Sequence, residues 1–150
     1  MKLVIQRVSE ASVTISNAIH SQIGYGLLVL VGITNDDGQS DIDWLVRKLL
    51  NLRIFNDPEG NMNLSVQQVE GELLIVSQFT LHASTKKGNR PSYINAAKPK
   101  IAFELYQRFL KTTELHFESS IKAGIFGADM QVSLVNDGPI TIIIDSKKRE

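Results

Sequence analysis

Cysteine is missing from this chain altogether. Its absence removes disulfides, thiolate nucleophiles and cysteine-ligated zinc together. Histidine is scarce. His20, His82 and His116 are the whole supply, and they lack the close helical spacing of a multi-histidine metal site. No metal and no cofactor are expected. Net charge is also lacking: 16 basic residues balance 16 acidic ones. Nucleic-acid binders usually carry a basic excess, so any RNA contact has to come from a local patch, and DNA is not an expected partner. No apolar run approaches the roughly 18 residues of a membrane span. The apolar start of Met1-Lys2-Leu3-Val4-Ile5-Gln6-Arg7 is too short for a signal peptide. A cytoplasmic protein without a membrane partner is the default expectation. The GxSxG, Walker, HExxH and GxGxxG patterns are all absent as well.

What is present suffices for one domain over residues 1–150, with a core that folds without staples. Residues 2–16 alternate loosely and predict one long strand, bent near Ser9-Glu10. Ser16-Asn17 suits a turn into a return strand over 19–23. Leu27 to Ile33 is an apolar run between glycine and turn residues, the signature of a central strand buried on both faces. Ser40 with Asp43 has capping-box spacing for a first helix. Ile42, Leu45, Val46, Leu49 and Leu50 share one face of it, with Trp44 packing at the edge. Short strands at 53–55 and 62–64 flank a turn. Pro99 fits the first turn of a second helix, with Ile101, Leu105 and Phe109 beside Ala102, Tyr106 and Leu110 as its core surface. Residues 130–135 and 140–144 read as two strands joined at Asn136-Asp137-Gly138. Hairpin-length connections predominate. The expected fold is α+β: a mostly antiparallel sheet or partly closed β-barrel with two helices packed against it.

Two polar constellations stand out. Leu73-Leu74-Ile75-Val76 is a buried strand that turns polar at Ser77-Gln78, with Phe79 and Leu81 continuing an alternation about Thr80. Such a strand end either runs out into solvent or presents chemistry from a rigid scaffold. The second is Asn136-Asp137-Gly138-Pro139-Ile140-Thr141. Asp-Gly between apolar strands is a common hairpin signal. Pro139 is the odd feature, because it removes a ladder donor at the start of a strand. Base rates put its peptide bond in trans. Between the two lies a long aperiodic loop, His82 to Tyr93, holding Lys86, Lys87 and Arg90, which is either solvated or in contact with phosphate. The basic tail Lys147-Lys148-Arg149 reads as a solvated end.

These segments carry a resemblance. Ser-Gln-Phe-Thr-Leu at 77–81 and Asn-Asp-Gly-Pro-Ile-Thr at 136–141 resemble the two signature motifs of D-aminoacyl-tRNA deacylases. Gln6-Arg7-Val8 with Ala11-Ser12-Val13, the 26–32 strand, Arg53-Ile54-Phe55, Gly88 with Arg90-Pro91-Ser92, and Phe126-Gly127-Ala128-Asp129-Met130 match in the same order. Ala123 departs from the pattern, standing where the family typically has a threonine, and loss of that hydroxyl would alter a local hydrogen bond. His82 fills a variable place.

The resemblance implies a homodimer that hydrolyses the ester of D-aminoacyl-tRNA and of mischarged glycyl-tRNA. It implies a site of Ser77, Gln78, Phe79 and Thr80, with Arg7, Met130 and Asn136 in support; if tRNA is the substrate, the loop residues Lys86, Lys87 and Arg90 are the expected phosphate contacts, unless the loop is simply solvated. It also implies a cis Gly138-Pro139 element, presented to the partner subunit, that excludes L-amino acids. Backbone N–H groups near Phe79 and Thr80 are natural oxyanion donors. The Thr80 hydroxyl is either a nucleophile, with no base beside it in sequence, or a group that orients substrate. A non-catalytic RNA-binding module and a simple esterase using Thr80 are the competing classes.

Overall fold

The computed structural model describes residues 1–149. Its scaffold begins with β1 (Lys2–Ile15), a strand long enough to serve two sets of partners. On one edge it pairs antiparallel with β2 (Ala18–Ile23) and β3 (Gly26–Gly32). On the other it pairs antiparallel with β8 (Gln131–Asp145) over nearly its whole length. β6 (Glu72–Ser77) lies parallel to β3, and β7 (Ile121–Ala123) lies parallel to β6. The sheet is therefore mixed, antiparallel around β1 and parallel beyond β3, and nearly closed into a barrel. A small hairpin, β4 (Phe55–Asn56) with β5 (Met62–Leu64), stands apart.

Parallel neighbours need crossovers, and the two helices supply them. α1 (Gln39–Asn51) lies in the connection from β3 to β6, and α2 (Pro99–His116) in that from β6 to β7. Both cover the same sheet face. Ile42, Leu45, Val46 and Leu49 of α1 join Leu105, Tyr106 and Phe109 of α2 over Leu3, Ile5, Leu27, Val29 and Ile75. The intervening side chains of the sheet, Val8, Leu28, Leu74 and Val76, form a second cluster on the opposite face. This is why the apolar runs of β3 and β6 are continuous rather than alternating. The buried Tyr106 hydroxyl donates to Ile75 O at 2.9 Å. Burial pushes its pKa above the ordinary phenol range, so it stays a donor and ties α2 to the middle of β6.

Three local expectations are corrected. The first helix begins one residue before Ser40. Its N-cap is Gly38, whose N–H donates to Asp41 Oδ2 at 2.9 Å. Asp41 therefore does the work expected of Asp43. Ile101 lies on the exposed first turn of α2, and the buried stripe runs through Ala102, Leu105, Tyr106, Phe109 and Thr113. Most consequential, Asn136-Asp137-Gly138 is not a hairpin turn. Residues 131–135 pair with Thr14 to Glu10, Asn136 pairs with Val8, and residues 141–145 pair with Gln6 to Lys2. The chain never reverses. The length of β1 lets both halves continue along a single partner, and residues 137–140 loop out opposite Arg7 as an extended bulge. Among the described residues no helix is long and apolar enough to cross a membrane.

Candidate active site

The strand end at Ser77 is built as follows. β6 stops at Ser77, and the Gln78 N–H makes one last inter-strand bond, to Val31 O at 2.8 Å. The chain then turns into a single 3-10 turn, Phe79–His82, instead of continuing as an extended strand. Leu81 N–H closes on Gln78 O at 3.3 Å and Ala83 N–H on Thr80 O at 3.0 Å. Phe79 and Thr80 lead this turn, so their N–H groups have no partner within it. Gln78 Nε2 donates to Thr80 Oγ1 at 2.5 Å. The Phe79 ring is more than half exposed and meets Tyr93 edge-to-face at 5.0 Å.

This turn borders a cavity of about 750 Å³. Ser77, Gln78 and Phe79 form one wall, Tyr93, Ile94 and Lys98 a second, and Phe126 to Met130 a third. Val31, Ile33, Val76 and Ala102 also line it. The walls are apolar apart from a few polar groups, the usual make-up of a small-molecule site. Gly124 matters here, because a Cβ at that position would fall 2.5 Å from Met130 Sδ. Met130 lines the same cavity as Ser77, Gln78 and Phe79. Thr80 lies next to the cavity but is not among its lining residues. Ala123 is also outside the lining, paired with Ile75 in β7.

Arg7, Asn136, Gly138 and Pro139 form a separate group. The Gly138-Pro139 peptide bond is cis, against the base-rate expectation, and both residues are exposed. Asn136 Nδ2 donates to Arg7 O at 3.0 Å and to Ile140 O at 2.9 Å, clasping the base of the bulge from both sides. The buried Arg7 guanidinium donates to Ile54 O at 2.7 Å and Asn56 Oδ1 at 3.3 Å. Its Nε lies 2.9 Å from Asp137 Oδ2, off the hydrogen-bonding axis, so that contact is an ion pair. A rigid tip results, held by polar groups at its base and bare of side-chain bulk at Gly138. None of these four residues lines the cavity of its own chain.

Lys86, Lys87 and Arg90 stand exposed on a loop that an antiparallel bridge between Ser84 and Ser92 closes. Gly88, at φ +97°, turns it. Among the described residues no group of three or more His, Asp or Glu side chains could hold a metal ion. Tyr93, Phe126, Lys98 and Asp129, none of them expected as site residues, also line the cavity. Tyr93 carried a usable signal: a large aromatic in an otherwise polar loop.

Comparison with known proteins decides the family. The family model described as D-Tyr-tRNA(Tyr) deacylase matches residues 4–145. A D-aminoacyl-tRNA deacylase of Flavobacterium psychrophilum is 61% identical over all 150 residues, covering 100% of both chains. The chain belongs to the D-Tyr-tRNA deacylase family. Two solved structures agree in fold. A c-Myc DNA unwinding element binding protein superposes with a TM-score of 0.93 at 44% identity, covering 97% of this chain and 98% of the other. A probable eukaryotic D-amino acid tRNA deacylase gives 0.80 at 19% identity, covering 95% and 97%, which speaks to fold alone. As a member of this deacylase family the chain is an ester hydrolase acting on aminoacyl-tRNA. Residues 77–81 form the turn on the cavity wall, and residues 136–141 the clasped tip outside it.

Proposed function

We propose that this deacylase clears D-amino acids and glycine from tRNA, and that it works as a homodimer whose sites are each completed by the Gly138-Pro139 tip of the other copy. The observation that carries the reading is the division of the site. The donor-bearing turn faces a cavity, while the clasped tip projects from the same chain without lining it. A two-fold pairing reconciles the two, since an isologous contact gives each copy what it gives the other. Such an enzyme belongs in the cytoplasm, where charged tRNA is made and used.

The chemistry follows from what the turn offers. An aminoacyl ester is already reactive, so positioning and oxyanion stabilisation supply most of what is needed. Water adds to the ester carbonyl, the carbonyl–ribose oxygen bond breaks, and the ribose oxygen leaves with a proton. The Phe79 and Thr80 N–H groups are the donors for the oxyanion. The Thr80 hydroxyl accepts from Gln78 Nε2, a donor that cannot take its proton. On this reading it is a positioning group rather than a nucleophile, which the absence of a base at this contact supports, and Ser77 and Gln78 fix the strand end.

Selection works by exclusion. Many D side chains must be accepted, so the enzyme reads the substituents common to every α-carbon. Backbone carbonyls of a tip that cannot swing away accept from the substrate ammonium and occupy the space an L side chain would need. Glycine, with nothing to collide, passes.

Thr80→Ala is expected to keep at least about a tenth of wild-type activity on D-tyrosyl-tRNA, where loss of an obligatory nucleophile would cost roughly 10⁴-fold or more. Single-turnover hydrolysis of D-tyrosyl-tRNA, its L counterpart and a free D-tyrosine ester measures this. The same assay separates the tRNA deacylase from a simple esterase, which would turn over the free ester equally well, and from a binding module, which would turn over none.

A further inference from the structure

Charge is unevenly spread along a chain whose total is zero. From Leu73 through Phe103 there is no aspartate or glutamate, while Lys86, Lys87, Arg90, Lys98 and Lys100 all fall within that span. The span comprises the β6 end, the 3-10 turn, the basic loop and the first turn of α2. Both ends of the span line the cavity, Ser77 to Phe79 at one and Tyr93, Ile94 and Lys98 at the other, with the basic loop between them in the chain. The Ser84–Ser92 bridge closes the loop, and Ala97 N–H to Ile33 O and Lys98 N–H to Asn35 Oδ1 anchor the approach to α2. All five cations are exposed, and among the described residues none makes an ion pair. Asp129 is the sole carboxylate among the lining residues, and it comes from another wall.

Between the cations stand two large side chains that solvent should not favour. Ile94 is 83% exposed and Tyr93 is 40% exposed. Both sit at the cavity wall, and Phe79 braces the Tyr93 ring. Apolar platforms interleaved with unpaired cations are how proteins hold single-stranded nucleic acid: base faces lie on the platforms and phosphates meet the cations. A duplex hides its base faces and offers nothing to a platform.

We propose that this acid-free segment is a track for the unpaired nucleotides immediately preceding the esterified terminal adenosine of tRNA. Tyr93 and Ile94 carry the bases, and Lys86, Lys87, Arg90, Lys98 and Lys100 the phosphates. The proposal rests on the hydrolase reading above and adds the part of the substrate that precedes its terminal adenosine. The track makes tRNA a better substrate than an aminoacyl nucleoside with the same ester.

The test compares wild type, a Lys86→Gln/Lys87→Gln/Arg90→Gln variant and Ile94→Ser on D-tyrosyl-tRNA and on D-tyrosyl-adenosine, which carries no phosphate. The readout is the ratio of kcat/KM for the two substrates. In the triple variant the ratio is expected to fall about tenfold or more near 0.1 M salt, and the slope of log kcat/KM for tRNA against log salt to flatten by about 2. In Ile94→Ser the ratio is expected to fall about fivefold with the salt slope kept. A ratio equal to that of wild type in either variant overturns the track. Wild-type protein inert toward D-tyrosyl-tRNA would overturn the hydrolase reading itself, a failure visible before any variant is made.

Discussion

Gly138→Ala is expected to slow hydrolysis of D-tyrosyl-tRNA about 100-fold while the protein stays folded. At Gly138 the backbone has φ +120°, which an L side chain rarely adopts. A Cβ there would fall 2.8 Å from Ile140 Cγ1, 3.1 Å from Ile140 N and 3.3 Å from Arg7 Nη2. Arg7 has little room to give way, because Ile54 O and Asn56 Oδ1 hold its guanidinium. Ile140 packs against the main core. The exposed tip is therefore the part that moves. The ladder bonds on either side of the bulge and the core beneath are untouched, so folding is largely spared. On the proposed reading the displaced tip no longer fits the partner's cavity, and discrimination suffers along with rate. Single-turnover hydrolysis of D- and L-tyrosyl-tRNA, with a denaturation midpoint as control, checks both. Wild-type rate and selectivity in the folded variant would leave the tip without a function.

Gly32→Ala is expected to lower the rate by a similar factor, about 100-fold, for a different reason. Gly32 ends β3 directly beneath the 3-10 turn. An added Cβ would sit 2.9 Å from Leu81 Cβ and about 3 Å from the His82 ring, at 3.0 Å from Nε2 and 3.1 Å from Cδ2. The turn has to shift, carrying the Phe79 and Thr80 N–H groups away from where the oxyanion forms. Overpacking of this kind also costs about 1–3 kcal/mol of stability. The signature differs from that of Gly138→Ala. D-tyrosyl-tRNA and D-tyrosyl-adenosine lose rate together, while the ratio of D to L hydrolysis holds. Rates measured on all three esters distinguish a displaced donor set from a displaced selector.

The sequence made the scaffold readable wherever burial imposes a period. The two-sided apolar runs of β3 and β6, the faces of α1 and α2, and the Pro99 helix start all follow from side chains that have to face a core. Parallel pairing of β3 with β6 was not readable, because a buried run looks the same in either direction. The segments 77–81 and 136–141 stand out by their chemistry, yet local pattern alone points to the wrong shape for each. Ser77 to Leu81 bends into a turn because Gln78 makes the last bond to β3, a long-range fact no local alternation contains. Asp137-Gly138 has hairpin chemistry but bulges, because β1 is long enough to pair with both of its flanks. That Met130 lines the cavity while Arg7 and Asn136 do not is likewise a property of the sheet, invisible in residue order.

Mixing the two variants tests the central claim most directly. If each site joins the turn of one copy to the tip of the other, a heterodimer of Gly32→Ala and Gly138→Ala subunits holds one site with both lesions and one with neither. Random reassociation of equal amounts, after partial unfolding and refolding together, is then expected to restore about a quarter of wild-type activity on D-tyrosyl-tRNA, far above either parent. The restored activity should carry wild-type preference for D over L. A mixture no more active than the mean of its two parents would contradict a site built in trans.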